Sequence, residues 1–91
     1  MKTILITGGS KGIGKCVVEE AIKNNYNVVF TYNKSKKVAN ELCKKFTGKC
    51  RAVKVNLEIQ KDRNKLFKFF KKNKITIDDL VNNAAFNVQK K

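Results

Sequence analysis

Ile4-Leu5-Ile6 runs directly into Thr7-Gly8-Gly9-Ser10-Lys11-Gly12-Ile13-Gly14, and this junction limits the fold more than any other stretch. Three consecutive bulky apolar residues read as a strand buried on both faces. Beyond the glycines, Ile13, Val17 and Ala21 recur four apart with Val18 and Ile22 beside them. That spacing predicts a helix from Lys15 to Asn24 with a broad apolar face. A glycine turn between a buried strand and a helix allows positive φ and close backbone approach, and the helix start offers N–H groups to a phosphate. A helix crossing over from a buried strand implies a parallel sheet.

The remaining chain repeats this alternation. Asn24 to Asn27 stop the first helix, and Val28-Val29-Phe30-Thr31-Tyr32 is β-branched and aromatic enough for a second strand. Val38, Leu42 and Phe46 mark a helix from Lys36 to about Phe46, closed near Gly48. Arg51 to Leu57 alternates partially, as an edge strand does. Ile59, Leu66, Phe69 and Phe70 predict a third helix to about Lys72, and Ile77 to Asn82 a fourth strand. Asn87 to Lys91 reads as a frayed tail. The expected architecture is an α/β, Rossmann-like doubly wound sheet. Right-handed crossovers give the parallel order 3-2-1-4, with helices on both faces and residues 1–91 as one domain.

Composition excludes several functions. The chain has 91 residues, 42% of them hydrophobic, enough for one modest core. No apolar run approaches the ~20 residues that cross a bilayer, and no signal-peptide pattern precedes the first strand. A cytoplasmic protein without membrane contact is expected. Three cysteines, Cys16, Cys43 and Cys50, with no histidine and no C-x-x-C pair argue against a metal site. The net charge of +14 comes mainly from lysines spread along every helix, with Arg only at Arg51 and Arg63. Eleven asparagines accompany them, so the bias reads as compositional, and the expected consequence is weak, salt-sensitive polyanion binding without specific nucleic-acid recognition.

The glycine pattern is T-G-x-x-x-G-x-G rather than G-x-G-x-x-G, and Ile77-Asp78-Asp79-Leu80-Val81-Asn82-Asn83-Ala84-Ala85 follows further on. Together these resemble the short-chain dehydrogenase/reductase family, whose second mark is I-D-x-L-V-N-N-A-G, over the first part of the family's usual length. The resemblance implies an NAD(P)-dependent oxidoreductase moving hydride between a carbonyl and an alcohol. A reductase of the 3-oxoacyl-acyl-carrier-protein type leads among the substrates. Gly8, Gly12 and Gly14 would line the pyrophosphate turn, with Ser10, Lys11 and Ile13 contributing contacts. The exit of the second strand, Asn33-Lys34-Ser35, carries no acid to accept from a ribose 2′-hydroxyl. Lys34 and Lys11 then favour NADP(H), with NAD(H) as the alternative. Asn56 and Leu57 fall at the adenine position, and Asn82, Asn83 and Ala84 match N-N-A, with Ala85 in place of the commoner Gly. Asp78 would fix the loop before the fourth strand.

The family's catalytic Ser and Tyr-x-x-x-Lys follow the N-N-A-G segment, and residues 1–91 hold neither, so no catalytic residue is expected here. Tyr32 and Lys36 satisfy the Tyr-x-x-x-Lys string but fall at the adenosine end of the cleft, away from a reacting carbonyl. A substrate would then join only a longer form. The fourth strand would present an edge open to self-association, and Leu66, Phe67, Phe69 and Phe70 would be partly exposed. The competing reading is a non-catalytic Rossmann-like module that binds a nucleotide or another chain.

Overall fold

The computed structural model describes residues 1–9 and 12–83. The chain alternates β1 (Thr3–Thr7), α1 (Gly12–Lys23), β2 (Asn27–Tyr32), α2 (Lys36–Lys45), β3 (Cys50–Lys54), α3 (Gln60–Lys72) and β4 (Asp79–Asn82). The strands form one sheet in the order β3-β2-β1-β4, parallel throughout. Ile6 stands level with Phe30 on one side and Val81 on the other. The expected doubly wound topology is therefore present.

Strand alternation divides the core between two faces. Ile4 and Ile6 of β1 and Val28 and Phe30 of β2 pack with Val18, Ala21 and Ile22 of α1 and Ala39 and Leu42 of α2. Leu5, Val29 and Val53 point the other way, onto Leu66 of α3, with Phe69 and Phe70 closing the margin. Ile6, Val18 and Phe30 are fully enclosed, and each such burial is worth roughly 1.5–3 kcal/mol. The long apolar runs of β1 and β2 thus serve helices on both sides.

Several boundaries differ from expectation, each for a local reason. Helix α1 starts at Gly12 rather than Lys15, and Ile13 is 76% exposed, outside the packed stripe. Asn25, at φ 67°, ends that helix in the left-handed region that Asn tolerates. Strand β3 stops at Lys54: after Val55, whose N–H still reaches the Tyr32 carbonyl at 2.8 Å, the backbone turns toward α3. The Asn56 N–H donates to the Asp62 carboxylate at 2.8 Å, and the Arg63 guanidinium to the Leu57 carbonyl. Strand β4 begins at Asp79, because Ile77 is spent packing beneath α3. Asp78 does fix this entry, accepting from the Thr3 N–H at 2.8 Å and donating its own N–H to the Thr3 carbonyl.

On α3, Leu66 is 5% exposed, which corrects the expected partial exposure, while Phe67 faces solvent and Phe69 and Phe70 are half-buried. Among the described residues strand β4 pairs only with β1, and Leu80 on it is largely exposed. Cys16 is exposed, Cys43 half-buried and Cys50 buried. Among the described residues no cluster of His, Cys, Asp or Glu could hold a metal, and no helix is long and apolar enough to cross a membrane.

Candidate nucleotide-binding site

Four parallel strands deliver their carboxyl ends to one rim, where open α/β sheets bind ligands. The glycines that follow β1 occupy part of this rim. Gly8 has φ 73° and Gly12 φ 43°, so two residues occupy the left-handed region that a side chain disfavours. Gly9 is glycine for space: a Cβ there would lie 2.6 Å from the Phe30 Cβ and 2.9 Å from a Val18 methyl. Gly14 is glycine because a Cβ would run into the Gly8 carbonyl and come within 2.7 Å of the Asn83 amide. These contacts bring α1 close against the turn. Gly12 opens the first helical turn, where N–H groups have no intrahelical acceptor, and a Cβ on it would meet nothing within 4 Å. The result is bare backbone at a positive helix end, chemistry that fits a phosphate.

Side chains from neighbouring strands hold the turn. The buried Thr31 of β2 accepts the Gly8 N–H on its hydroxyl at 3.1 Å and the Gly9 N–H on its carbonyl at 3.0 Å. From β4, Asn83 donates its amide to the Gly8 carbonyl at 3.2 Å. Thr7 donates its hydroxyl to the Asn82 side-chain oxygen at 2.9 Å. The Gly8 peptide is therefore gripped from both sides, and the two asparagines belong to the same rim as the turn.

Of the residues marked in the sequence, Gly8, Gly12, Ile13 and Gly14 follow β1, and Asn82 and Asn83 stand beside them across the β1–β4 pairing. Asn33, Lys34 and Ser35 leave the carboxyl end of β2, with Asn33 and Lys34 exposed. Asn56 and Leu57 follow β3 at the outer end of the rim, and the Asn56 side chain accepts the Glu58 N–H at 3.0 Å. Ser10, Lys11, Ala84 and Ala85 lie outside the described residues. Thr31 is the bracing residue that sequence reasoning missed; its one signal is a hydroxyl in an otherwise apolar strand. Tyr32 ends β2 opposite Lys54 of β3, on the side of β1 away from Asn82.

The opposite rim carries different features. A depression of about 170 Å³ is lined by Asn27, Lys49, Cys50, Arg51 and Ile75 near the amino ends of β2 and β3. It lacks the glycine turn and the helix start, so the phosphate chemistry lies elsewhere. Tyr26 also sits at this end, donating its hydroxyl to Asp79 at 2.7 Å. That hydrogen bond, with the negative charges of Asp79 and Asp78, raises the Tyr26 pKa above that of an ordinary phenol. Burial, helped by the adjoining Cys43 thiol, pushes Cys50 up to about 12.

A parallel sheet in this order, with a glycine turn braced at its carboxyl rim, defines a partial Rossmann-like nucleotide-binding fold. The family model for short chain dehydrogenases matches residues 2–91, and the chain belongs to the short-chain dehydrogenase/reductase family. It is 34% identical over 89 residues to glucose 1-dehydrogenase 2 of Bacillus subtilis, covering 94% of this chain and 34% of that protein. It is 33% identical to the 3-oxoacyl-acyl-carrier-protein reductase of Aquifex aeolicus, covering 98% of this chain and 37% of that one. The chain thus spans about a third of the length of these curated relatives. The short-chain dehydrogenase/reductase homolog YusS of B. subtilis, 31% identical, is matched over 80% of its own length. Among solved structures, a short chain dehydrogenase from Bacillus anthracis superposes with a TM-score of 0.80 at 30% identity, over 91% of this chain and 34% of that one.

Proposed function

We propose that residues 1–91 form the dinucleotide-binding domain of a short-chain oxidoreductase, with NADP(H) the preferred cofactor. The observation that carries this is Gly12 opening α1 with open space about it, beside a Gly8 braced by Thr31 and Asn83 at the carboxyl rim. When bound, the nicotinamide cofactor supplies the hydride. Gly8, Ser10, Lys11, Gly12, Ile13 and Gly14 would hold the pyrophosphate. Asn33, Lys34 and Ser35 would surround the adenosine ribose, where a lysine and no carboxylate favour a 2′-phosphate. Asn56 and Leu57 would flank adenine, and Asn82, Asn83 and Ala84 would line the cofactor's ribose side.

The reaction is interconversion of a carbonyl and an alcohol, and the sequences of a glucose dehydrogenase and a 3-oxoacyl reductase support that class. The 91 residues alone are inactive in this reading, because they hold no Ser with Tyr-x-x-x-Lys beyond Asn83. A second reading, a non-catalytic nucleotide-binding module, draws support from YusS, a homolog matched over most of its length. Titration of NADPH and NADH by fluorescence tests the shared claim: saturable binding with NADPH tighter is expected, and no saturation by either at millimolar levels refutes it. Turnover assays with NADPH and a 3-oxoacyl thioester or an aldose then separate the readings when applied to any longer form.

A further inference from the structure

Helix α2 and strand β3 join through one short turn, and a cysteine stands on each side of it. Ala39, Leu42 and Cys43 of α2, with Phe46 at its cap, follow at helical spacing along the face packed on the sheet. Cys50 and Ala52 of β3 turn to that same face. Between them the Phe46 N–H donates to the Leu42 carbonyl and the Lys49 N–H to the Phe46 carbonyl, each at 3.0 Å. Gly48 completes the reversal at φ 84°. The last turn of the helix is thereby folded back over the first residue of the strand. Cys50 is buried and Cys43 half-buried, and their thiols adjoin within hydrogen-bonding reach. Cys16, exposed on α1, belongs to neither core cluster.

We infer that Cys43 and Cys50 form a reversible oxidation site, closing to a disulfide that fastens α2 to the outer strand β3. A disulfide needs its two Cβ atoms about 3.5–4.5 Å apart, a separation that side chains already in thiol contact reach with little movement. The oxidant is a low-molecular-weight disulfide such as oxidised glutathione. Cys43 reacts first, since it is partly exposed, whereas burial holds Cys50 protonated. Its thiolate attacks one glutathione sulfur, forms a mixed disulfide and expels the other glutathione as a thiolate. Cys50 then yields its proton to solvent and attacks the Cys43 sulfur, releasing the second glutathione. Two protein thiols lose two electrons and two protons, and oxidised glutathione takes them up to become two thiols. The site lies by the amino ends of β2 and β3, away from the glycine turn, and does not rest on the cofactor reading.

The test equilibrates the chain carrying Cys16→Ser with reduced and oxidised glutathione, natively and in urea, followed by acid quenching and mass spectrometry. The native product should be a monomer lighter by two hydrogen atoms, with Cys43 and Cys50 joined in its proteolytic digest. Closure and folding are linked, so the equilibrium constant for closure should be at least tenfold larger natively than in urea. The same linkage should raise the melting temperature by about 5 °C or more, and dithiothreitol should reverse the rise. Cys43→Ala, which empties only a half-buried position, should show no such rise with oxidised glutathione. The proposal is overturned by a glutathione adduct on Cys43 that never closes, or by a constant no larger natively than in urea. Disulfide-linked dimers, a closed form that melts no higher than the reduced one, or the same rise in Cys43→Ala overturn it equally.

Discussion

The side-chain amide of Asn83 donates to the Gly8 carbonyl at 3.2 Å, tying the end of β4 to the turn that leaves β1. One half-buried hydrogen bond of this kind is worth about 1 kcal/mol. Asn83→Ala should therefore lower the melting temperature by roughly 4–8 °C, the usual response of so small a domain. Thermal unfolding followed by circular dichroism measures it, and an unchanged midpoint would show that the link carries no weight.

Gly14 and Gly12 sit two residues apart yet should respond differently to alanine. At Gly14 the new methyl meets the Gly8 carbonyl and the Asn83 amide, so α1 must move off the turn. At Gly12 the methyl meets open space and suffers only the strain of φ 43°. Gly14→Ala is expected to cost on the order of 3 kcal/mol or to prevent folding, against about 1 kcal/mol for Gly12→Ala. Urea unfolding midpoints rank them, and the reverse order would refute the packing described.

Thr31 offers a test of the brace from β2. Thr31→Val keeps the volume but leaves the Gly8 N–H without its acceptor, a loss of about 1–3 kcal/mol. Thr31→Ser keeps the hydroxyl and gives up one methyl, about 1 kcal/mol. If hydrogen bonding governs the site, serine also preserves NADPH affinity better than valine in the fluorescence titration.

Cys50 sets a pH dependence with a definite sign. Its thiol is pushed up to about 12 in the fold by burial, with Cys43 beside it, from an ordinary value of 9.0. Between those values the folded chain keeps a proton that the unfolded chain releases, so this contribution is intact below pH 9 and lost as pH rises toward 12. The slope from one such group reaches about 1.4 kcal/mol per pH unit. Urea unfolding at pH 8 and pH 10 should show a smaller decline for Cys50→Ala than for the parent chain. Under native conditions a thiol reagent should modify the exposed Cys16 first and Cys50 last.

Lys34 tests the cofactor preference. Lys34→Asp places a carboxylate where the proposed 2′-phosphate lies, and repulsion should cut NADPH affinity at least tenfold while sparing NADH. Equal losses for both dinucleotides would remove the basis for preferring NADP(H).

Much of the fold was legible because periodicity reports burial. The unbroken run Ile4-Leu5-Ile6 signals helices on both faces, and the four-residue spacing of Val38 and Leu42 signals one helical face. Boundaries were less legible wherever a side chain interrupts a pattern. Asp62 takes the Asn56 N–H and ends the extended chain that the apolar alternation would prolong to Leu57. Ile13 matched the spacing of the packed stripe yet stands at the rim, since the first turn of α1 lies beyond the sheet.

The order of glycines and apolar residues determined by itself that this chain makes a parallel α/β sheet with a glycine-rich connection after its first strand, because backbone freedom and hydrophobic period are local properties. Tertiary structure alone decided what holds that turn. Thr31 and Asn83 reach Gly8 from strands 23 and 75 residues away, and no local pattern encodes a hydrogen bond formed only when three strands align.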